Sequence, residues 1–132
     1  MKRLFDFIAS SFGLILLTPI FVLVALWIKL DSRGGILFRQ ERVGFQGVIF
    51  RTHKFRTMVL DAEKKGKQIT IGLDSRITTA GNFLRKYKLD ELPQLIDVLV
   101  GDMSLVGPRP EVLKYIDCYS DDEKCDVLSV KP

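Results

Sequence analysis

Between Phe7 and Ile28 the chain carries no charged residue, and an apolar run of about 20 residues is what a helix needs to cross a bilayer core. No other feature constrains the fold as much, because so much apolar surface has no place in a small water-soluble domain. A cleaved signal peptide does not fit. Lys2 and Arg3 supply a basic start, but the run is too long and ends in LWIKLDS without a small-residue cleavage site. Two features also set it apart from a plain spanning helix. Thr18-Pro19 falls at its middle, and an internal proline removes a backbone hydrogen bond and kinks or breaks a helix. Each half is then about a dozen residues, or roughly 18 Å, short of a hydrocarbon core of about 30 Å. Lys2 and Arg3 precede the run while Lys29, Arg33, Arg39 and Arg42 follow it. Basic residues favour the cytoplasmic side, so both ends prefer the same face. The residues themselves leave two topologies open: a spanning helix, or a helix-break-helix that re-enters, with Ser10, Ser11 or Thr18 satisfying the freed backbone groups.

Behind this segment, which we bound at residues 1–30, the chain of 132 residues has room for one small domain, 31–132. Lys and Arg number 20 against 16 Asp and Glu, a net charge of +4. That excess suits an anionic partner: a lipid surface, a phosphorylated small molecule or nucleic acid. Two cysteines and a single histidine supply neither a disulfide framework nor a zinc site. The runs ILFRQERVG and GVIFRTHKFRTM are β-prone and flank Phe45-Gln46 between two glycines, which reads as a hairpin. Arg39, Arg42, Arg51, Lys54 and Arg56 make it strongly basic, either as a solvated or headgroup-facing surface or with some of them holding phosphate. Aromatic residues interleave here, but no RNP-like motif or basic helix accompanies them, so no nucleic-acid partner is expected.

Polar residues 59–81 read as a short helix around Ala62 and then a mobile loop. Three helices are expected beyond: one capped by Asn82 over FLRKYK, one over Leu89–Val100 ending at Gly101, and a tail from Glu111 to about Asp126. The class is α+β and helix-rich, with a β-hairpin and interfacial helices on a membrane anchor.

Within the second of these helices, LDELPQL places two carboxylates side by side. Pro93 is tolerated only in a first turn, so the helix should start near Asp90. Asp90 is then a cap, and Glu91 complements the helix dipole. The same place is chemically useful. Amides at a helix start attract phosphate and keep a nearby carboxylate ionised, and two close carboxylates invite a divalent cation shared with phosphates. Arg85 upstream and Arg109, fixed between Pro108 and Pro110, are suited to an anion. Together these features suggest phosphoryl chemistry at a bilayer surface.

KFRTM (Lys54 to Met58), LDELPQL (Leu89 to Leu95) and GDMSLVGPRP (Gly101 to Pro110) resemble the signature blocks of the bacterial sugar transferases, the monotopic phosphoglycosyl transferases. The resemblance covers essentially the whole chain. It implies transfer of a sugar phosphate from a UDP-sugar to polyprenol (undecaprenyl) phosphate at the cytoplasmic face of the bacterial inner membrane. Asp90 would attack the sugar-bearing phosphate and release UMP, and Glu91, with Asp90, would hold Mg²⁺. Arg85 and Arg109 match the phosphate contacts, with Lys54 and Arg56 as further basic candidates. The segment around Thr18-Pro19 would be re-entrant. The chain stops at Ser129-Val130-Lys131-Pro132, where the family pattern continues, so truncation at the C-terminus is expected. The sugar and any homo-oligomeric state stay open. The competing readings are a membrane-anchored scaffold whose acidic pair is only a cap, and a basic module docked on anionic lipid or nucleic acid.

Overall fold

A computed structural model of the chain describes residues 1–60, 62–65 and 74–132. A long helix, α1 (Lys2–Asp31), is followed by strands β1 (Leu37–Val43) and β2 (Ile49–Phe55). Helices α2 (Thr79–Lys86), α3 (Gln94–Val100), α4 (Leu113–Ile116) and α5 (Asp121–Leu128) complete the described elements, with 3-10 turns at Phe45–Gly47, Ala62–Lys65 and Leu89–Glu91. Among the described residues the fold is helix-rich with one two-stranded sheet, as expected.

Pro19 lies inside α1, and the helix is continuous from end to end. The expected pair of helices joined by a break is therefore one helix. Proline removes one backbone bond at a cost of about 3 kcal/mol, and here it does so without ending the helix. Leu4, Phe12, Ile15, Leu16, Leu23 and Leu26 are all more than half exposed. Helix α1 is long and apolar enough to cross a membrane by length and composition.

The strands form the expected hairpin. Gln46 (φ 55) and Gly47 (φ 78) take the left-handed backbone that reverses the chain, and Gly44 N–H closes the turn on Val48 O at 2.9 Å. The remaining expectations need adjustment. Helix α2 starts at Thr79, not at Asn82, because the Thr78 side chain caps it by accepting Gly81 N–H at 3.0 Å. The single helix expected from Leu89 is divided into a 3-10 turn and α3, and Pro93 stands at the N-cap of α3. Gly101 ends α3 in a left-handed conformation (φ 106), as expected. The tail is two helices, since Ser120 and Glu123 form a capping box that starts α5 afresh. The helix expected around Ala62 is a single 3-10 turn, and the loop expected after it falls largely in residues 66–73, outside the described residues.

Contacts group the chain into two compact units, each taking part of α1. One comprises Met1–Leu17, Arg39–His53 and Pro93–Pro132. Its buried cluster is Phe50, Val98 and Met103. The N-terminus of α1 is tied in by polar contacts: Arg3 donates to the carbonyls of Val98 and Leu99, at the end of α3, and Lys2 to that of Val106. The buried Asp6 accepts from Ser104 Oγ at 2.8 Å. Asp97, 1% exposed, accepts His53 N–H at 2.8 Å and pairs with its ring Nδ1, which fastens β2 to α3.

The other unit comprises Thr18–Phe38 and Lys54–Leu92. Val24 and Ile28 of α1, Phe55 of β2 and Leu84 of α2 form its core, flanked by Phe21, Ile36, Leu89 and Leu92. Asp31 at the end of α1 accepts the amide of Ala80 at 2.9 Å. Gly81 allows α2 to lie directly on the chain after β2. A Cβ there would stand 2.0 Å from the Thr57 carbonyl oxygen.

Candidate active site

The site begins at the end of β2. Phe55 enters the core beside Leu84, so strand alternation turns its neighbour Lys54 the other way. Lys54 Nζ donates to Glu91 Oε1 at 3.0 Å, a contact with both side chains shielded (15% and 32% exposed). The carboxylates come from the 3-10 turn. Lys88 adopts a left-handed backbone (φ 59) and redirects the chain as it leaves α2. A 3-10 turn repeats every three residues, so Leu89 and Leu92 share a face, and both pack on the core. Asp90 and Glu91 are thereby kept off that face.

Asp90 is half-buried, and its Oδ1 has no hydrogen-bond partner among the described residues. Burial pushes its carboxyl above the ordinary value and the charge of Glu91 adds to this, while Lys54 and Arg85 pull it down. The helix-start amides expected beside Asp90 are those of a 3-10 turn, because α3 begins only at Gln94. Neither the 3-10 turn nor α3 has a side-chain cap, so the capping account of the pair loses its basis.

Arg85, on α2, donates its Nε to Thr57 Oγ1 at 2.9 Å, and its guanidinium is near enough to act on Asp90. Arg56 is placed differently. Its Nη1 donates to Arg33 O at 2.7 Å and its Nη2 to Ser32 O and Oγ at 2.8 Å, all from a buried position. These nitrogens close off the C-terminal end of α1, where a cation suits the helix dipole. The phosphate contact expected of Arg56 is not presented in this arrangement.

Lys54, Arg85, Asp90 and Glu91 are therefore brought together in one unit. Arg109 belongs to the other, where it is exposed. The loop carrying it is pinned to the hairpin: Arg42 Nη1 donates to Pro110 O at 3.2 Å, and Val43 N–H to Glu111 O at 2.9 Å. Thr18 and Pro19 lie exposed within α1.

The family profile described as "Bacterial sugar transferase" matches residues 1–132. The chain belongs to the bacterial sugar transferase family. Relatives carry names that specify the reaction. The undecaprenyl-phosphate glucose phosphotransferase of Komagataeibacter xylinus is 50% identical over 110 residues, which is 83% of this chain and 21% of that protein. The UDP-N-acetylgalactosamine-undecaprenyl-phosphate N-acetylgalactosaminephosphotransferase of Aeromonas hydrophila is 43% identical over 119 residues, 90% of this chain and 28% of the relative. The UDP-glucose:undecaprenyl-phosphate glucose-1-phosphate transferase of Escherichia coli K12 is 43% identical over 120 residues, 90% and 26% of the two chains. The chain thus spans about a quarter of the length of these sugar transferases.

Two placements escaped the reading of the sequence. Thr57 sits inside the KFRTM block, but nothing in the order of residues tells that its hydroxyl meets Arg85. Asp97 did give a signal, since a carboxylate inside LIDVLV must either break the apolar stripe or find a buried partner. His53 is that partner.

Proposed function

We propose that the protein of which this chain is part transfers a sugar phosphate from a UDP-sugar to undecaprenyl phosphate through a covalent aspartyl intermediate. The observation that carries this reading is Asp90: a half-buried carboxylate with an unpartnered oxygen, next to Glu91 and within the influence of Lys54 and Arg85. A partly buried carboxylate with a perturbed pKa and an open oxygen beside charged neighbours is the kind of group functional sites are built around.

The step is a displacement at phosphorus. An Asp90 oxygen attacks the sugar-bearing phosphorus of the UDP-sugar, the P–O bond to the other phosphate breaks, and UMP leaves with the electron pair. An oxygen of the polyprenyl phosphate then attacks the same phosphorus and expels Asp90 as carboxylate. Arg85 neutralises phosphate charge throughout. Asp90 and Glu91 would hold Mg²⁺. The unpartnered Asp90 Oδ1 beside Glu91 is the donor set available to it, and Mg²⁺ is commonly held by one or two carboxylates with phosphates and water completing its shell. Such an ion supplies charge neutralisation on the phosphates. With Glu91 engaged by such an ion, Lys54, which now bonds Glu91, would be available to phosphate.

Incubating the full-length protein with a panel of UDP-sugars, with and without Mg²⁺, tests the reading. Metal-dependent UMP release is expected, and its absence for every sugar would leave the scaffold reading in possession. The relatives differ in their sugars, from glucose to N-acetylgalactosamine, so the panel must include both.

Arg109 joins the reading as a second phosphate contact. Lysine cannot reproduce a two-pronged guanidinium contact, so Arg109→Lys is expected to lower kcat/KM by about tenfold or more while membrane insertion is unchanged. Unaltered kinetics would make Arg109 a surface charge.

We further infer that α1 re-enters as one helix bent at Pro19, which removes a backbone hydrogen bond without ending the helix, so that residues 1–30 dip into the bilayer and 31–132 lie on the cytoplasmic face. Support comes from its flanks: Lys2 and Arg3 before the apolar run and Lys29 and Arg33 after it all favour the cytoplasmic side. In oriented vesicles a cysteine at position 2, in a background with Cys125→Ser, should label from the same side as the exposed Cys118. Opposite accessibility would restore the spanning helix.

A further inference from the structure

We propose that Thr57 is the positioning residue of the site: its hydroxyl fixes the rotation of the Arg85 guanidinium so that one defined edge faces the phosphates. The inference rests on the phosphotransfer reading above and adds to it a residue that touches neither substrate nor metal. Arginine has a long, flexible side chain, and ordering it on phosphate is entropically unfavourable. Here one of its donors is already committed. Nε donates to Thr57 Oγ1 at 2.9 Å, and Thr57 is only 7% exposed. With Nε occupied, the side-on pair of Nε and Nη2 is closed to a ligand, and the end-on pair Nη1 and Nη2 is what remains.

The backbone that carries the hydroxyl is itself held. Thr57 O accepts the amide of Thr78, and the Thr78 hydroxyl bonds the same oxygen. The backbone of Thr57 also abuts Gly81, one turn before Arg85 on α2. Donor and acceptor are thus both mounted on one rigid junction between the end of β2 and α2. Serine in place of threonine would keep the hydroxyl, whereas valine would keep the shape and lose it.

The test uses full-length protein in nanodiscs, with UDP-glucose and UDP-N-acetylgalactosamine as substrates and ¹⁵N-arginine labelling. Arg85→Lys assigns the Arg85 Hε signal by its disappearance. Thr57→Val is expected to lower kcat/KM by about tenfold or more, to remove the exchange protection of Arg85 Hε, and to leave the melting temperature nearly unchanged. Thr57→Ser should recover both activity and protection. In an Arg85→Ala background, Thr57→Val should cause no further loss, which a purely structural role for Thr57 would not predict. Retained protection or full activity in Thr57→Val would overturn the proposal, as would an additive loss with Arg85→Ala. If valine prevents folding, Thr57→Ala removes the same hydroxyl and is judged by the same criteria. If the wild type releases no UMP from either sugar, the functional reading fails, and the Hε signal alone then decides whether Thr57 fixes Arg85.

Discussion

Asp90→Asn in the full-length protein is expected to lower sugar-phosphate transfer by about a thousandfold or more, the scale of removing a covalent nucleophile, while the folded state becomes no less stable. The amide keeps the size of the side chain but is a poor nucleophile. Without polyprenyl phosphate, the wild type should release one equivalent of UMP and retain sugar phosphate on residue 90, and the variant should do neither. Turnover near the wild-type rate in Asp90→Asn would end the covalent mechanism. The stability half of the result follows from the direction of the pKa. Burial and Glu91 raise it above the ordinary value of 3.8, so the folded chain holds this proton more tightly than the unfolded chain. The stabilisation this gives is fully present below the unfolded value and is lost as pH rises through the folded one. At neutral pH the ionised Asp90 therefore opposes folding, and the neutral asparagine does not. Measuring unfolding midpoints of both proteins without divalent metal, from acid to neutral pH, checks the sign.

Leu84→Ala is expected to destabilise the protein by about 3 kcal/mol, within the range for deleting a fully buried leucine. Leu84 is 0% exposed and meets Val24 and Ile28 of α1 and Phe55 of β2, so its removal opens a cavity where three elements converge. Denaturant unfolding in mild detergent measures the loss. Activity should fall with the folded fraction, whereas kcat per folded molecule should change far less, because the adjoining Arg85 is held through Thr57.

The residues that the sequence made legible are those whose meaning is local. Phe45-Gln46 between glycines announced the hairpin, Gly101 announced the end of α3, and the apolar run announced α1. The Asp90-Glu91 pair stood out because two neighbouring carboxylates have little reason to adjoin. Misreadings arose where two local signals competed. Pro93 is acceptable in a first turn and also at an N-cap, and only the left-handed Lys88 and the core contacts of Leu89 and Leu92 decide that the pair occupies a 3-10 turn of its own. Arg56 and Lys54 look alike in a basic strand. Their neighbours in space separate them, carbonyls of residues 32 and 33 for one and Glu91 for the other. Those neighbours lie more than twenty positions away in the chain, beyond the reach of any pattern.

The contact at Gly81 bears on how such a site can change over generations. Main chain meets main chain there, with no space for even a methyl group, and a backbone contact has no rotamers to shift and nothing to exchange for a bulkier or slimmer neighbour. The spacing between the end of β2 and α2 is therefore set independently of the apolar side chains around it. Val24, Ile28 or Phe55 can be swapped for residues of other sizes at some loss of stability, yet the separation of Thr57 from Arg85 stays where the two main chains put it. Drift among those side chains is thus decoupled from the spacing of Thr57 and Arg85, whereas the placement of Asp90 and Glu91 still follows the packing of Leu89 and Leu92.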